Sequence, residues 1–169
     1  MSSTAVDVLV IGGGQAGLAT GYFLRRHKLD YRILDREPAP GGAWRHGWDS
    51  LQLFSPAQWS SLPGWQMPET EDGEWPQRDE VIDYLARYQK RYDIPVERPV
   101  EVASLTRGVN RLSVETDRGT YHAKVVVSAT GTWSHPFIPQ VEGIGDYRGR
   151  QVHSAHYRRP EDFRDRRVL

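Results

Sequence analysis

The chain has 169 residues, with 22 Lys plus Arg balanced by 22 Asp plus Glu, 38% hydrophobic residues and no cysteine. That length suits one domain with a sizeable core, and zero net charge gives no electrostatic support to nucleic-acid binding. The missing cysteines exclude a disulfide scaffold, thiolate zinc sites, a catalytic thiol and an internal redox disulfide.

Val6 to Ile11 is a β-branched run too short for a helix and stopped by Gly12, Gly13 and Gly14, the pattern of a strand buried on both faces. A helix follows from Gln15 to about His27. Its apolar residues Leu18, Ala19, Tyr22 and Phe23 recur at helical spacing, and Arg25, Arg26, His27 and Lys28 suit the negative C-terminal end. The whole uncharged stretch from Val8 to Leu24 holds five glycines, has no basic region ahead of it and is shorter than the roughly 20 apolar residues of a membrane span. The expectation is a soluble, cytoplasmic protein with no membrane partner. Tyr31 to Leu34 resumes an extended run and ends at Asp35, completing a strand, helix, strand unit.

Residues 38 to 76, with five tryptophans and no sustained period, form a long ordered excursion of the kind that usually serves a function. Arg78 to Tyr92 is a helix with Val81, Ile82, Leu85 and Tyr88 on one side and Asp79 and Glu80 in its first turn, though without an ideal cap. Val100 to Leu105, Arg111 to Thr116 and Tyr121 to Ser128 read as strands, the last two joined by a turn at Asp117-Arg118-Gly119. These predict a small antiparallel insertion leading back into the sheet. Asp165 to Leu169 resembles the entrance to another buried strand, much as Asp7 to Val10 enters the first.

Gly12-Gly13-Gly14-Gln15-Ala16-Gly17 satisfies G-x-G-x-x-G, and its context strengthens it: a strand feeds it, a helix leaves it, and Asp35 follows Gly17 by 18 positions. Gly12 allows the tight turn, Gly14 lets backbone approach a pyrophosphate, and Gly17 lets helix pack on strand. The helix N-terminus offers N–H groups and partial positive charge to phosphates. Asp35 would accept hydrogen bonds from ribose hydroxyls, and its charge argues against a 2′-phosphate. FAD and NAD both fit these features.

The run Asp7 to Gly17, Pro40-Gly41-Gly42-Ala43-Trp44, and Ala129-Thr130-Gly131 together resemble the FAD-binding half of flavin-containing monooxygenases. Tyr147 to Tyr157 is similar to that family's F-x-G-x-x-x-H-x-x-x-(W/Y) fingerprint, with Gly149, His153 and Tyr157 in place and Tyr147 for the usual Phe. Gly47 to Pro56 most resembles bacterial members associated with arsenical resistance, and more loosely the plant auxin-forming ones. The resemblance implies an α/β, Rossmann-like FAD domain of the two-dinucleotide-binding-domain type occupying residues 1–169. It further implies that this domain is incomplete, with an NADPH domain and a C-terminal return missing.

By the same resemblance Gly12, Gly14, Ala16 and Gly17 would hold the FAD pyrophosphate and Asp35 the adenosine ribose. Gly42 and Trp44 would lie along the ribityl and flavin side, Val102 would contact adenine through its backbone, and Thr130 and Gly131 would cross near the pyrophosphate. For Trp44 ordinary core packing is an equal alternative. Gly149, His153 and Tyr157 would mark the passage toward the nicotinamide domain. His153 and His156 have no third ligand nearby, so no metal site is expected. Some animal relatives carry an Asn near the flavin where this chain has Phe54, which supplies no hydrogen bond to a flavin hydroperoxide.

The function implied is the FAD-binding portion of an NAD(P)H-dependent flavin monooxygenase, which passes one oxygen atom of O2 through a flavin C4a-(hydro)peroxide to a small soft nucleophile. No catalytic acid or base is named. The alternatives are an NAD-dependent dehydrogenase or reductase, which would lack a recognisable Tyr-Lys pair because Tyr88, Lys90 and Tyr92 belong to a helix face, and a non-catalytic nucleotide-binding fragment.

Overall fold

Val8, Leu9 and Val10 are almost wholly withdrawn from solvent because their strand, β1 (Ser3–Ile11), runs through the middle of a six-stranded sheet. The computed structural model describes residues 3–70 and 75–169, so residues 71–74 of the expected excursion lie outside the described residues. β1 pairs in parallel with β2 (Tyr31–Leu34) on one side and β6 (Gly119–Ser128) on the other, placing Val10 opposite both Ile33 and Val127. β3 (Val96–Glu97) extends the parallel part beyond β2. β4 (Val102–Arg107) and β5 (Leu112–Thr116) form the antiparallel insertion beside β6, giving the order β3-β2-β1-β6-β5-β4. The sheet is open where β6 outruns β5, since the β5 pairing ends at Ala123 and Val125 is 51% exposed.

The helix α1 (Gln15–Arg26) lies against the sheet through Leu18, Gly17 and Gly21. Phe23, expected inside, is 47% exposed. A Cβ on Gly21 would meet Ile94 at 2.8 Å and Ile33 at 3.0 Å, so the helix approaches the sheet on its glycine face and turns Phe23 to the flank against Tyr22. The second helix, α2 (Arg78–Arg91), buries Val81, Tyr84, Leu85 and Tyr88, whereas Ile82 is only half-buried. Contrary to the expectation of no ideal cap, Gln77 donates its backbone N–H to the Glu80 carboxylate at 2.7 Å in a capping box.

The described part of the tryptophan-rich excursion is held by α2. Leu53, Ala57 and Met67 enter the same core cluster as Val8, Val10, Leu18, Ile33 and Leu85. Two buried tyrosines then satisfy backbone groups that a loop would otherwise leave unpaired: Tyr84 donates to the Trp65 carbonyl at 2.7 Å and accepts the Leu62 N–H at 2.8 Å, and Tyr88 donates to the Pro63 carbonyl at 2.6 Å. The Trp65 ring is covered by the guanidinium groups of Arg87 and Arg91, at 5.3 and 5.2 Å.

Two expected strands differ. Val100 does not open β4, because its N–H is turned to the Asp35 carbonyl at 2.9 Å and its side chain fills the second core cluster. Asp165 to Leu169 form no strand. Val168 and Leu169 are exposed, and the segment pairs with none of the six strands.

Burial raises the pKa values of Tyr84 and Tyr88, and burial together with donation to Glu97 pushes that of Tyr121 up to about 12. The folded chain thus retains these protons above the ordinary value of 10.0, so the stability they contribute is complete below pH 10 and declines as pH rises toward about 12. Thermal unfolding scans should give a Tm that is flat up to about pH 9.5 and falls above pH 10. A flat Tm up to about pH 11.5 would contradict this assignment.

Candidate functional site

The parallel strands β2, β1 and β6 end on one rim of the sheet. Gly12 donates its N–H to the Leu34 carbonyl and Ala129 donates to the Ile11 carbonyl, both at 2.8 Å, so the glycine loop, Asp35 and Thr130 leave the sheet side by side. A crevice outside the carboxyl ends of parallel strands is where α/β sheets bind ligands. Gly12 turns the chain at φ +106°, where a Cβ would sit 2.3 Å from the Ala129 carbonyl oxygen. Gly14 caps α1 without any side-chain hydrogen bond, and the first turn carries no acidic residue. The helix therefore presents unsatisfied N–H groups and a partial positive charge to the crevice.

The crevice is a cleft of about 780 Å³. Gly12, Gly14, Ala16, Asp35, Gly42, Trp44, Val102, Thr130 and Gly131 all line it, which brings together nine of the ten residues proposed for a cofactor. Gly17 is the tenth and lies under the loop instead: a Cβ there would fall 1.9 Å from the Gly12 carbonyl oxygen. Its place is the one expected for close packing of helix on strand.

Gly14 and Gly42 lie against each other on the wall of the cleft. A Cβ on Gly42 would lie 2.8 Å from the Gly14 Cα, and Gly42 has a positive φ of 53°. A Cβ on Gly14 would have only the Gly42 Cα nearby, at 3.9 Å, so that glycine leaves open space rather than avoiding a clash. Trp44 packs against the core and also lines the cleft, with its indole N–H donating to Gln15 Oε1 at 3.0 Å.

Asp35 is a buried charged residue, 5% exposed. Its backbone is held between Glu97 and Val100, and its Oδ2 accepts the Arg98 Nε–H at 2.8 Å. Arg98 was not anticipated, and no local spacing announces it. The same holds for Glu37, 14% exposed at its side chain and accepting from His46 Nε2 at 2.8 Å, and for Arg36, which donates across the cleft mouth to Ser134 Oγ. Both follow closely on Asp35 in the chain, and that adjacency is the one signal that could have found them.

The fingerprint residues lie elsewhere. Gly149 and Tyr157 line a second cavity of about 1230 Å³ with Tyr147, Arg150 and Phe163. His153 caps its own turn, with Nδ1 accepting the Ala155 N–H at 3.1 Å, and its ring stands 6.3 Å from that of His156. Phe54 is 79% exposed and does not line the first cleft. Among the described residues no three His, Cys, Asp or Glu side chains gather to hold a metal ion, and no helix is long and apolar enough to cross a membrane.

Residues 9–169 match the family described as pyridine nucleotide-disulphide oxidoreductase. An uncharacterised CzcO-like oxidoreductase of Geobacillus kaustophilus is 40% identical over 165 residues, which are 97% of this chain and 47% of that protein. The chain therefore spans about half the length of this curated relative. A flavin-containing monooxygenase from Stenotrophomonas maltophilia superposes with a TM-score of 0.90 at 52% identity, over 95% of this chain and 48% of that one. The S-allyl-L-cysteine S-oxygenase of Allium sativum does so with a TM-score of 0.85 at 25% identity, over 96% and 44%.

Proposed function

This chain belongs to the pyridine nucleotide-disulphide oxidoreductase family, and from that premise we propose that it is the FAD-binding portion of a cytoplasmic, NAD(P)H-dependent flavin monooxygenase. The observation that carries the proposal is the start of α1, uncapped by any side chain and opening on the cleft at Gly14, where Gly42 closes against the loop and a Cβ on Gly14 would stand in open space. The chemistry of the lining fits FAD. Unsatisfied N–H groups and the loop of Gly12 to Ala16 receive the pyrophosphate, and Asp35 receives the adenosine ribose. Val102 backs the adenine, Thr130 and Gly131 cross near the pyrophosphate, and Gly17 supports the loop from below.

Gly42 admits the ribityl chain, and Trp44 covers the flavin side and keeps water from it. When bound, FAD supplies the transfer of two electrons from NADPH to O2, with one oxygen atom going to a small soft nucleophile and the other to water. The chain's own contribution is to bind, orient and shield. Gly149, His153 and Tyr157 serve the passage toward a nicotinamide domain. Within these 169 residues there is no cysteine, so this portion itself supplies no redox disulfide.

The test is the visible spectrum of the purified protein, loaded with FAD if colourless, followed by chromatography of the cofactor released on denaturation. Released FAD is the expected result. Release of a nicotinamide nucleotide with no flavin overturns the proposal in favour of a dehydrogenase.

A further inference from the structure

Arg98 uses all three of its guanidinium nitrogens, each on a different element. Nε donates to Asp35 Oδ2 at 2.8 Å, Nη2 to the Gly13 carbonyl at 3.3 Å, and Nη1 to Gln89 Oε1 of α2 at 2.7 Å. The Arg98 and Asp35 side chains are only 8% and 6% exposed. Burying two charges is costly enough that such a pair is weak evidence for stability. Its placement is more informative than its strength. A Cβ on Gly13 would lie 2.6 Å from both Arg98 Nη2 and Asp35 Oδ2, so the middle glycine of the triplet is the one that lets the loop lie directly on the ion pair. Gly13 is the position the dinucleotide motif leaves unspecified.

Asp35 nevertheless still lines the cleft. An ionised carboxylate offers about four acceptor sites. Arg98 takes one on Oδ2, and the Glu37 N–H approaches Oδ1 at 3.3 Å, so acceptor capacity remains. Without Arg98 the Asp35 carboxylate would lose the bond that fixes its Oδ2, leaving the Glu37 N–H at 3.3 Å to orient it.

We propose that Arg98 is a positioning residue of the ribose subsite, fixing the Asp35 carboxylate against the glycine loop so that a nucleotide's ribose hydroxyl and its pyrophosphate are read at one set separation. This rests on the reading of the cleft as a dinucleotide site, and the ligand chemistry it invokes, an adenosine ribose next to a diphosphate, is common to FAD and NAD. Glu37, His46 and Arg36 surround the same rim with their side chains engaged elsewhere, and the Glu37 backbone N–H reaches Asp35 Oδ1.

Calorimetric titration of the chain with ADP and with 2′-deoxy-ADP tests the proposal, using the unaltered protein, Arg98→Met and Arg98→Lys, with folding checked by circular dichroism. The unaltered chain should prefer ADP by about tenfold, the value of one hydrogen bond to a charged group. In Arg98→Met both nucleotides should still bind through the loop, with the preference falling toward one. Arg98→Lys keeps a cation beside Asp35 but loses the fork that also holds Gly13 and Gln89, so its preference should fall by about threefold. If Arg98→Met does not fold, the lysine variant decides.

A folded variant that keeps the full preference, or one that loses both nucleotides equally, overturns the positioning role. An unaltered chain that binds both nucleotides equally does so too. Absence of ADP binding to the unaltered chain overturns this inference and the dinucleotide reading together, whereas ADP and NADH binding without FAD binding overturns the flavin reading alone.

Discussion

Gly17→Ala is expected to destabilise the fold by about 3 kcal/mol or more and to lower Tm by about 10 °C. Helix propensity argues the other way, because alanine is favoured over glycine inside a helix by about 1 kcal/mol. Contact decides the sign. The new Cβ would sit 1.9 Å from the Gly12 carbonyl oxygen and 3.0 Å from its carbon, backbone atoms that cannot swing aside as a side chain can. Gly12 is itself fixed by its N–H bond to Leu34 and by its contact with Ala129, so relief would require α1 to lift from the sheet.

Gly21→Ala is a useful contrast, since its nearest neighbours at 2.8 and 3.0 Å are the side-chain ends of Ile94 and Ile33. Its cost should be about 1 to 2 kcal/mol. Urea unfolding of both variants checks the order. A Gly17→Ala protein as stable as the unaltered chain would show that the loop and helix are not packed as described.

Much of the site was legible because the strand, helix, strand unit is local. A β-branched run, a glycine triplet, a helical stripe with a cationic end and an acid closing the next strand all fall between Val6 and Asp35, where propensity and spacing agree. What the sequence concealed is what distance along the chain conceals. Arg98 reaches Asp35 across 63 positions, and nothing near Arg98 marks it as buried. β3 has only two residues, too few for any alternation. The order of the excursion depends on hydroxyls of Tyr84 and Tyr88 that lie on another element.

Phe23 shows how a helical stripe misleads when glycine occupies the face nearest the sheet, because the closest approach goes to the smallest residue. Asp165 to Leu169 carries three charges ahead of Val168 and Leu169, and it stays unpaired although β6 leaves an edge open beyond Ala123.

The central claim is that the cleft over Gly14 and Gly42 holds FAD, and Gly14→Ala separates that claim from the fold. Gly14 has φ −80° and ψ −164°, a conformation open to alanine, and the added Cβ would make only ordinary contact with Gly42 at 3.9 Å. Alanine is a poorer N-cap than glycine, so the stability cost should be about 0.5 to 1 kcal/mol. Binding should suffer far more. The methyl group would occupy the space through which a pyrophosphate reaches the first N–H groups of α1, and two lost hydrogen bonds to a charged group correspond to about a hundredfold in affinity.

The decisive measurement is a fluorescence titration of the unaltered chain and of Gly14→Ala with FAD, with Tm recorded for both. The account predicts saturable FAD binding by the unaltered chain and binding about a hundredfold weaker by a variant of nearly equal Tm. Equal FAD affinity in the two proteins, or an unaltered chain that takes up NADH and not FAD, would contradict it.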